Sequence, residues 1–104
     1  MEQFTLDELA FSQGSLQYKL AFSDAVLVVV SELGSRFWYI DVSGIEQTAL
    51  LEAFHTQENI RIDLSARTVS GQQFRGIGYF HANVVHQAAA IRGDGELEGY
   101  NSLS

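Results

Sequence analysis

The chain of 104 residues contains no cysteine and no proline. The absence of cysteine excludes disulfide bonds, thiolate metal sites, iron–sulfur clusters and cysteine nucleophiles. Because small secreted domains often depend on disulfides, a cysteine-free chain of this size favours a cytoplasmic protein. Without proline, hydrogen-bonded secondary structure can run through the chain with no fixed interruption.

Basic residues are also scarce, since six Lys and Arg are set against thirteen Asp and Glu and the net charge is −7. Proteins that bind nucleic acid cluster their basic residues, whereas these occur singly. We therefore expect neither nucleic acid nor an anionic membrane as a partner. The acidity either attracts a protein partner with a basic surface or simply keeps the protein soluble.

No long hydrophobic run is present. The longest, 25–30, has six residues, far fewer than the roughly 20 that a membrane-spanning helix needs. The N-terminal residues lack the basic start and apolar stretch of a signal peptide. The chain does contain 46% apolar residues, including seven Phe, which is ample for the core of one domain over 1–104.

Apolar residues in strand-like patterns predict five β-strands. The first three are separated by short turns, which predicts a sequential antiparallel meander. In the fifth, Gly76 and Gly78 lie on one face, although glycine weakens a strand. We interpret them as a bend, or as a place where another chain or an aromatic ring packs flat on the backbone. The predicted strands cover 16–21, 25–31, 36–42, 60–65 and 74–81.

Helical patterns are fewer. Ser43 and Glu46 form a capping box before an apolar stripe, which predicts a helix over about 44–55. The segment 4–11 fits either a helix with its own capping box or a short strand. The fold class expected is therefore α+β: an antiparallel β-meander of about five to six strands, which could curl or close into a small barrel, with one helix.

A possible second helix covers about 83–92. Asn83 would cap its beginning and Gly93 would stop it, with three consecutive alanines between them. The alternative is a tight turn at 82–83 followed by a strand that returns beside the fifth strand. We favour the helix because apolar and polar residues alternate poorly in this segment.

The outward face of the fifth strand is the candidate ligand site. In the strand alternative, His81 would pair with Val84, and Tyr79 with His86. This would bring a guanidinium, a phenol and two imidazoles over small alanine side chains, which suits an anionic or aromatic ligand. The competing interpretation is that these polar side chains simply face water. The candidate ligand-binding residues are Arg75, Tyr79, His81, His86 and Arg92.

We predict no metal site, no cofactor and no catalytic residue. His81 and His86 are five positions apart, which places them on different sides of a continuous strand or helix. The pair Gly76 and Gly78 lacks the third glycine and the following helix of a dinucleotide-binding fingerprint, and no serine lies in a nucleophile elbow. An enzyme is therefore not expected.

A protein interface is the remaining candidate. Arg36, Phe37 and Tyr39 combine the residue types that dominate interface hot spots. The leading hypothesis is a non-enzymatic protein-binding module of the inhibitor, immunity-factor or adaptor type. One alternative is a protein that binds or sequesters a small ligand. The other is a structural subunit of a homo-oligomer, with a dimer favoured because strands that are apolar on both faces can pack against a second copy.

Overall fold

The computed structural model describes residues 1–100 as a closed, six-stranded antiparallel β-barrel with 64% strand and one short helix. The predicted α+β meander is therefore wrong, and the small barrel named beside it is the nearer description. No helix among residues 1–100 is long and apolar enough to cross a membrane. The elements in chain order are β1 (Glu2–Gln13), β2 (Leu16–Lys19), β3 (Asp24–Glu32), β4 (Ser35–Ser43), α1 (Thr48–Thr56), β5 (Arg61–Thr68), β6 (Gln73–Asn83) and β7 (Ala88–Glu98).

The strand order around the barrel is β1-β3-β4-β7-β6-β5, and β5 closes the ring by pairing with β1. The long strand β1 makes this possible because its residues 2–5 pair with β3, whereas its residues 6–12 pair with β5. The short strand β2 folds back on residues 10–13 of β1. The predicted meander is wrong at this point, since β2 neighbours β1 and not β3. The β3–β4 hairpin forms as predicted.

A β-bulge explains why the N-terminal segment resembled a helix. The register of β1 against β5 shifts between Leu6 and Glu8. The buried residues are consequently Leu6, Leu9 and Phe11, which are spaced by three and then two rather than by a constant two. The spacing of three imitates one helical turn, and the segment is nevertheless a strand throughout.

The barrel interior is closed near one end by the indole of Trp38, which is 2% exposed. The ring lies flat on the backbone of β6 and β7, where a Cβ added to Gly76 would come within 2.7 Å of Trp38 Cζ2 and one added to Gly93 would come closer still. Trp38 Nε1 donates a hydrogen bond to the carbonyl oxygen of Gly95 at 3.1 Å. The interpretation that a ring packs on the backbone is confirmed at Gly76, whereas at Gly78 a Cβ would instead meet the Ile91 side chain and the Arg92 backbone of β7.

The helix α1 covers the other end of the barrel. Its buried residues Leu51 and Phe54 point into the opening, where the Phe54 ring centroid lies 4.7 Å from that of Phe80 and 5.6 Å from that of Phe11. Aromatic contacts at this separation add to the free energy gained from burial. A helix in this part of the chain is confirmed, but it covers a later and shorter stretch than 44–55.

The predicted capping box of α1 is wrong, because Ser43 is the last residue of β4 and the helix begins only at Thr48. Gln47 occupies the N-cap position, but its side chain makes no hydrogen bond to the first turn of the helix. Instead, the Gln47 amide accepts a hydrogen bond from the Ala21 backbone N–H at 2.8 Å and donates one to the Lys19 carbonyl at 3.2 Å. The Gln47 side chain thus makes the backbone hydrogen bonds that a neighbouring strand would make, and it connects the start of the helix to the end of β2.

The helix predicted over 83–92 is wrong as well. Strands β6 and β7 occupy this region and are joined by a turn at 84–87. The predicted turn at 82–83 is also displaced, so His81 pairs with Ala90 and Tyr79 with Arg92 rather than with Val84 and His86. In this strand Ala89 faces the core while Ala88 and Ala90 face outward. Because all three are alanine, the two faces differ little in polarity, and the alternation typical of a strand is not visible in the sequence.

Candidate functional site

A shallow groove runs over the outside of the barrel across four strands. One row of cross-strand neighbours joins Val26 on β3, Asp41 on β4, Ala90 on β7 and His81 on β6. Side chains on one face of paired strands stand about 5 Å apart. The small side chains in the middle of this row make a low floor, and longer side chains stand on either side of it.

The groove encloses about 720 Å³, and apolar atoms provide most of its lining. Helix α1 contributes His55, and the turn that joins β6 to β7 contributes the exposed Val85. Two carboxylates, Asp24 and Asp41, lie on β3 and β4 at the same groove. The lining residues are Asp24, Val26, Asp41, Val42, Ser43, His55, His81, Ala82, Asn83, Val84, Val85, Ala88, Ala89 and Ala90.

The groove is acidic because its lining contains two Asp and neither Lys nor Arg. Within residues 1–100, Asp24 and Asp41 take part in no ion pair, whereas three basic residues elsewhere on the barrel are paired with carboxylates. Those pairs are Arg61 with Asp94 at 2.7 Å, Arg67 with Glu8 at 2.6 Å and with Asp7 at 3.1 Å, and Lys19 with Glu8 at 3.2 Å.

The predicted ligand-binding residues do not form one cluster. Arg75, Tyr79 and His81 do share the outward face of β6, but Arg75 and His81 are six positions apart along the strand, or about 20 Å. His81 lines the acidic groove, whereas Arg75 lines a separate groove of about 470 Å³ that it shares with Lys19. His86 is exposed in the turn at 84–87.

Tyr79 and Arg92 belong to a stacked row that sequence reasoning only partly identified. The Arg92 guanidinium lies 5.4 Å from the centroid of the Tyr79 ring, and the Arg61 guanidinium lies 5.8 Å from it. Arg61 also donates hydrogen bonds to Asp94 and to the Tyr79 hydroxyl, and these two bonds raise the pKa of Arg61 above its ordinary value. These contacts pair the polar groups of the row with one another.

The predicted protein-interface residues lie farther along β4. Phe37 is 49% exposed, and the Arg36 guanidinium lies 4.9 Å from the centroid of the Tyr100 ring. Tyr39 is half-buried and stands between Val28 and Arg92 on the outer face. A cavity of about 500 Å³ lies beside these residues. Its lining residues are Arg36, Phe37, Trp38, Gly93, Gly95, Glu96, Leu97 and Tyr100.

Sequence reasoning did not include Asp24, Asp41 or His55, which line the acidic groove, in the candidate ligand site. The only local signal was Asp41, a carboxylate in the middle of an otherwise apolar and aromatic strand. Asp24 was assigned to a turn and His55 to the end of a helix. The proximity of Asp24 and Asp41 follows from the β3–β4 pairing, and His55 reaches the groove from α1. No local pattern specifies either arrangement.

No three His, Asp or Glu side chains among residues 1–100 are grouped so that they could hold a metal ion. Comparison with known proteins gives no match to a protein-family model, to a curated protein or to a solved structure. The function must therefore be argued from the surface of the barrel itself.

Proposed function

We propose that the protein is a non-enzymatic protein-binding module whose acidic groove takes a basic, apolar segment of a protein partner. The observation that carries this proposal is the apolar floor of the groove beside two carboxylates, Asp24 and Asp41, that have no ion-pair partner among residues 1–100. A carboxylate at the edge of an apolar surface favours a ligand that brings both a cation and a hydrophobic side chain.

The floor determines which hydrophobic side chains fit. Because Ala88 and Ala90 carry only methyl groups, an aliphatic side chain can lie directly on the sheet between β4 and the turn at 84–87. The exposed Val85 would then close over it. A Lys or Arg nearby in the same segment can reach Asp41 or Asp24 across the sheet. Burial of the apolar contact contributes about 25 cal/mol per Å², and the charges supply orientation and speed of association.

The proposal concerns the type of binding protein and names no cellular process. An inhibitor, an immunity factor and an adaptor would all use such a groove. We retain a cytoplasmic site of action as part of the proposal, because a domain without cysteine depends on no oxidising compartment.

A selection experiment tests the proposal without a known partner. Random peptides displayed on phage are selected on the purified protein, and the affinities of the enriched peptides are measured by isothermal titration calorimetry. We expect the enriched peptides to carry Lys or Arg close to Val, Leu or Ile. Their affinity should fall as the salt concentration rises, because exposed charge pairs are screened.

Two double variants with the same net charge distinguish binding at the acidic groove from nonspecific attraction to an acidic protein. Asp24→Asn with Asp41→Asn should weaken peptide binding about tenfold, since each exposed charge pair contributes up to about 1 kcal/mol. The matched control, Glu52→Gln with Asp63→Asn, removes two exposed charges outside the groove and should change affinity by less than about twofold. Equal losses in both variants, or enriched peptides without basic residues, would refute the proposal.

A third variant tests the floor alone. Ala90 faces outward and is exposed, so Ala90→Gln should leave the free energy of unfolding nearly unchanged. The longer side chain would occupy the place of the aliphatic group of the ligand, and peptide affinity should fall. Unchanged affinity would mean that the peptides bind elsewhere on the barrel.

A further inference from the structure

The tip of the β3–β4 hairpin extends beyond the barrel. Strand β1 pairs with β3 only as far as Val29, and β7 pairs with β4 only from Tyr39 onward. Between these limits, residues 30–37 pair only with one another among the described residues. We call this segment, residues 30–37, the hairpin arm. Both of its backbone edges lack a strand neighbour, and residues 31–37 are all exposed.

The residue at the end of the hairpin arm is unexpected on two physical grounds. Leu33 and Gly34 form a two-residue turn in which both φ angles are positive, +50° for Leu33 and +82° for Gly34. Such a turn favours Asn or Gly at its first position, and a branched apolar side chain there is strained. The side chain of Leu33 is also fully exposed. No contact among residues 1–100 compensates for this strain and exposure, so a contact with another molecule is the natural explanation.

A cavity that could receive such a side chain lies at the base of the same hairpin arm. It encloses about 500 Å³ and has a mixed lining, in which Phe37, Trp38, Leu97 and Tyr100 are the apolar and aromatic residues and Arg36 and Glu96 are the charged ones. Gly95 leaves the backbone of β7 uncovered beside them, since a Cβ added there would meet no atom within 4 Å, whereas the Trp38 ring covers Gly93. We call this the hairpin-base cavity.

The spacing of the tip and the cavity allows a reciprocal contact between two copies. Leu33 and Phe37 are four residues apart, or about 13 Å along the strand. Two hairpin arms lying side by side in opposite directions would therefore bring each Leu33 to the base of the other arm. A two-fold axis makes both contacts identical, as a symmetric dimer requires.

The charges on the hairpin arm are complementary to themselves. Glu32 precedes the tip and Arg36 follows it, and both are exposed. When two arms run in opposite directions, Glu32 of one copy lies beside Arg36 of the other, so each contact contains a pair of opposite charges. Copies with a net charge of −7 repel each other in general, and this local pairing offsets the repulsion at the contact.

We propose that two copies of this chain form a symmetric dimer in which each inserts Leu33 into the hairpin-base cavity of the other. Arg36 and Phe37 then lie inside the interface, and Tyr39 lies at its edge. In a single copy the cavity is open to solvent, and Phe37 on its wall is 49% exposed. The contact uses a different surface from the acidic groove, so this proposal and the proposed function can fail separately.

Sedimentation equilibrium of the full chain, over about a hundredfold range of concentration, gives the dimer dissociation constant. We expect a reversible dimer for the wild-type protein. Leu33→Asn should raise the dissociation constant at least about tenfold by removing a central anchor. The same change should raise Tm of the monomer, because Asn-Gly suits a turn with two positive φ angles. The matched control Val85→Asn, which alters another exposed apolar residue in a turn, should leave the dissociation constant unchanged.

Charge reversal supplies a second, independent measurement. Glu32→Arg alone and Arg36→Glu alone should each weaken the dimer, whereas the double variant should recover the wild-type dissociation constant within about threefold. A wild-type protein that is monomeric at every concentration would overturn the proposal. So would an unchanged dissociation constant in Leu33→Asn, or a double variant no stronger than the two single variants.

Discussion

The packing of Trp38 on glycine backbone gives the sharpest test of the fold. In Gly93→Ala, the new methyl group would overlap the indole of Trp38, and the ring cannot move freely because Nε1 is hydrogen-bonded to Gly95. The benzene edge of the same ring also leaves no room for a Cβ at Gly76 on the neighbouring strand β6. Overpacking a core usually costs about 1–3 kcal/mol, and we expect Gly93→Ala to cost about 3 kcal/mol because neither neighbour can yield.

Shortening the ring should remove this cost. Trp38→Leu alone should destabilise the protein by about 3 kcal/mol, through lost burial and the cavity left behind. In the Trp38→Leu background, Gly93→Ala should cost less than about 1 kcal/mol, because alanine is otherwise preferred to glycine within a strand. The double-mutant cycle therefore predicts a coupling free energy of about 2–3 kcal/mol between the two positions.

Urea unfolding monitored by far-UV circular dichroism measures the free energies of unfolding of all four proteins. Circular dichroism is preferred to fluorescence because Trp38 is the only tryptophan, and its replacement removes the fluorescent probe. Gly71→Ala is the control. A Cβ there meets no atom within 4 Å, but φ is +94°, so the change should cost about 1–2 kcal/mol equally in both backgrounds. If Gly93→Ala costs the same with tryptophan as with leucine at position 38, the packing argument is refuted.

Two further predictions concern the ends of the barrel. Phe54→Ala should lower the free energy of unfolding by about 3–5 kcal/mol in urea titrations, because the helix would lose its buried ring over the barrel opening; a loss below about 1 kcal/mol would show that α1 does not close the core. The Tyr100 hydroxyl donates a hydrogen bond to Glu2. This bond is the main cause, and burial the second, of a pKa of Tyr100 above its ordinary value. The stability from this bond is therefore complete below the ordinary tyrosine pKa of about 10 and is lost as pH rises through the raised value. In ultraviolet titration of the tyrosines, Glu2→Gln should make Tyr100 ionise at lower pH, and an unchanged curve would contradict the assignment.

Local patterns predicted several strands, one hairpin and the approximate place of the helix, but they could not predict barrel closure. Closure depends on β1 pairing with β3 over one half and with β5 over the other. The bulge between Leu6 and Glu8 accompanies this change of partner, and it gives the buried residues of β1 a helix-like spacing of three. Similarly, the alanines of β7 have high helix propensity, and the sheet overrode it because tertiary packing outweighs propensity over a short segment.

The candidate site shows the same limit. Sequence reasoning placed Arg75, Tyr79 and His81 on one outward face, which is correct, because alternation along a strand is a local property. It could not tell that Asp41 would stand in the same cross-strand row as His81, since that depends on the register of β4 against β7 and of β7 against β6. Shared faces are therefore predictable from such a sequence, whereas clusters drawn from several strands are not.

A closed barrel constrains how this protein can bind a partner. Closure leaves no free edge in the ring where it is complete, so a partner strand cannot extend the sheet there. Recognition can then use side chains on the outer face, as in the acidic groove, or the strand edges outside the closed ring, which belong to the hairpin arm and to β2. The two proposed surfaces share β4, with Asp41 in one and Phe37 in the other, about 13 Å apart along the strand. A dimer formed through the arms would present two acidic grooves in one particle, and a partner with two basic segments would bind it far more tightly than either segment alone if its linker can span them.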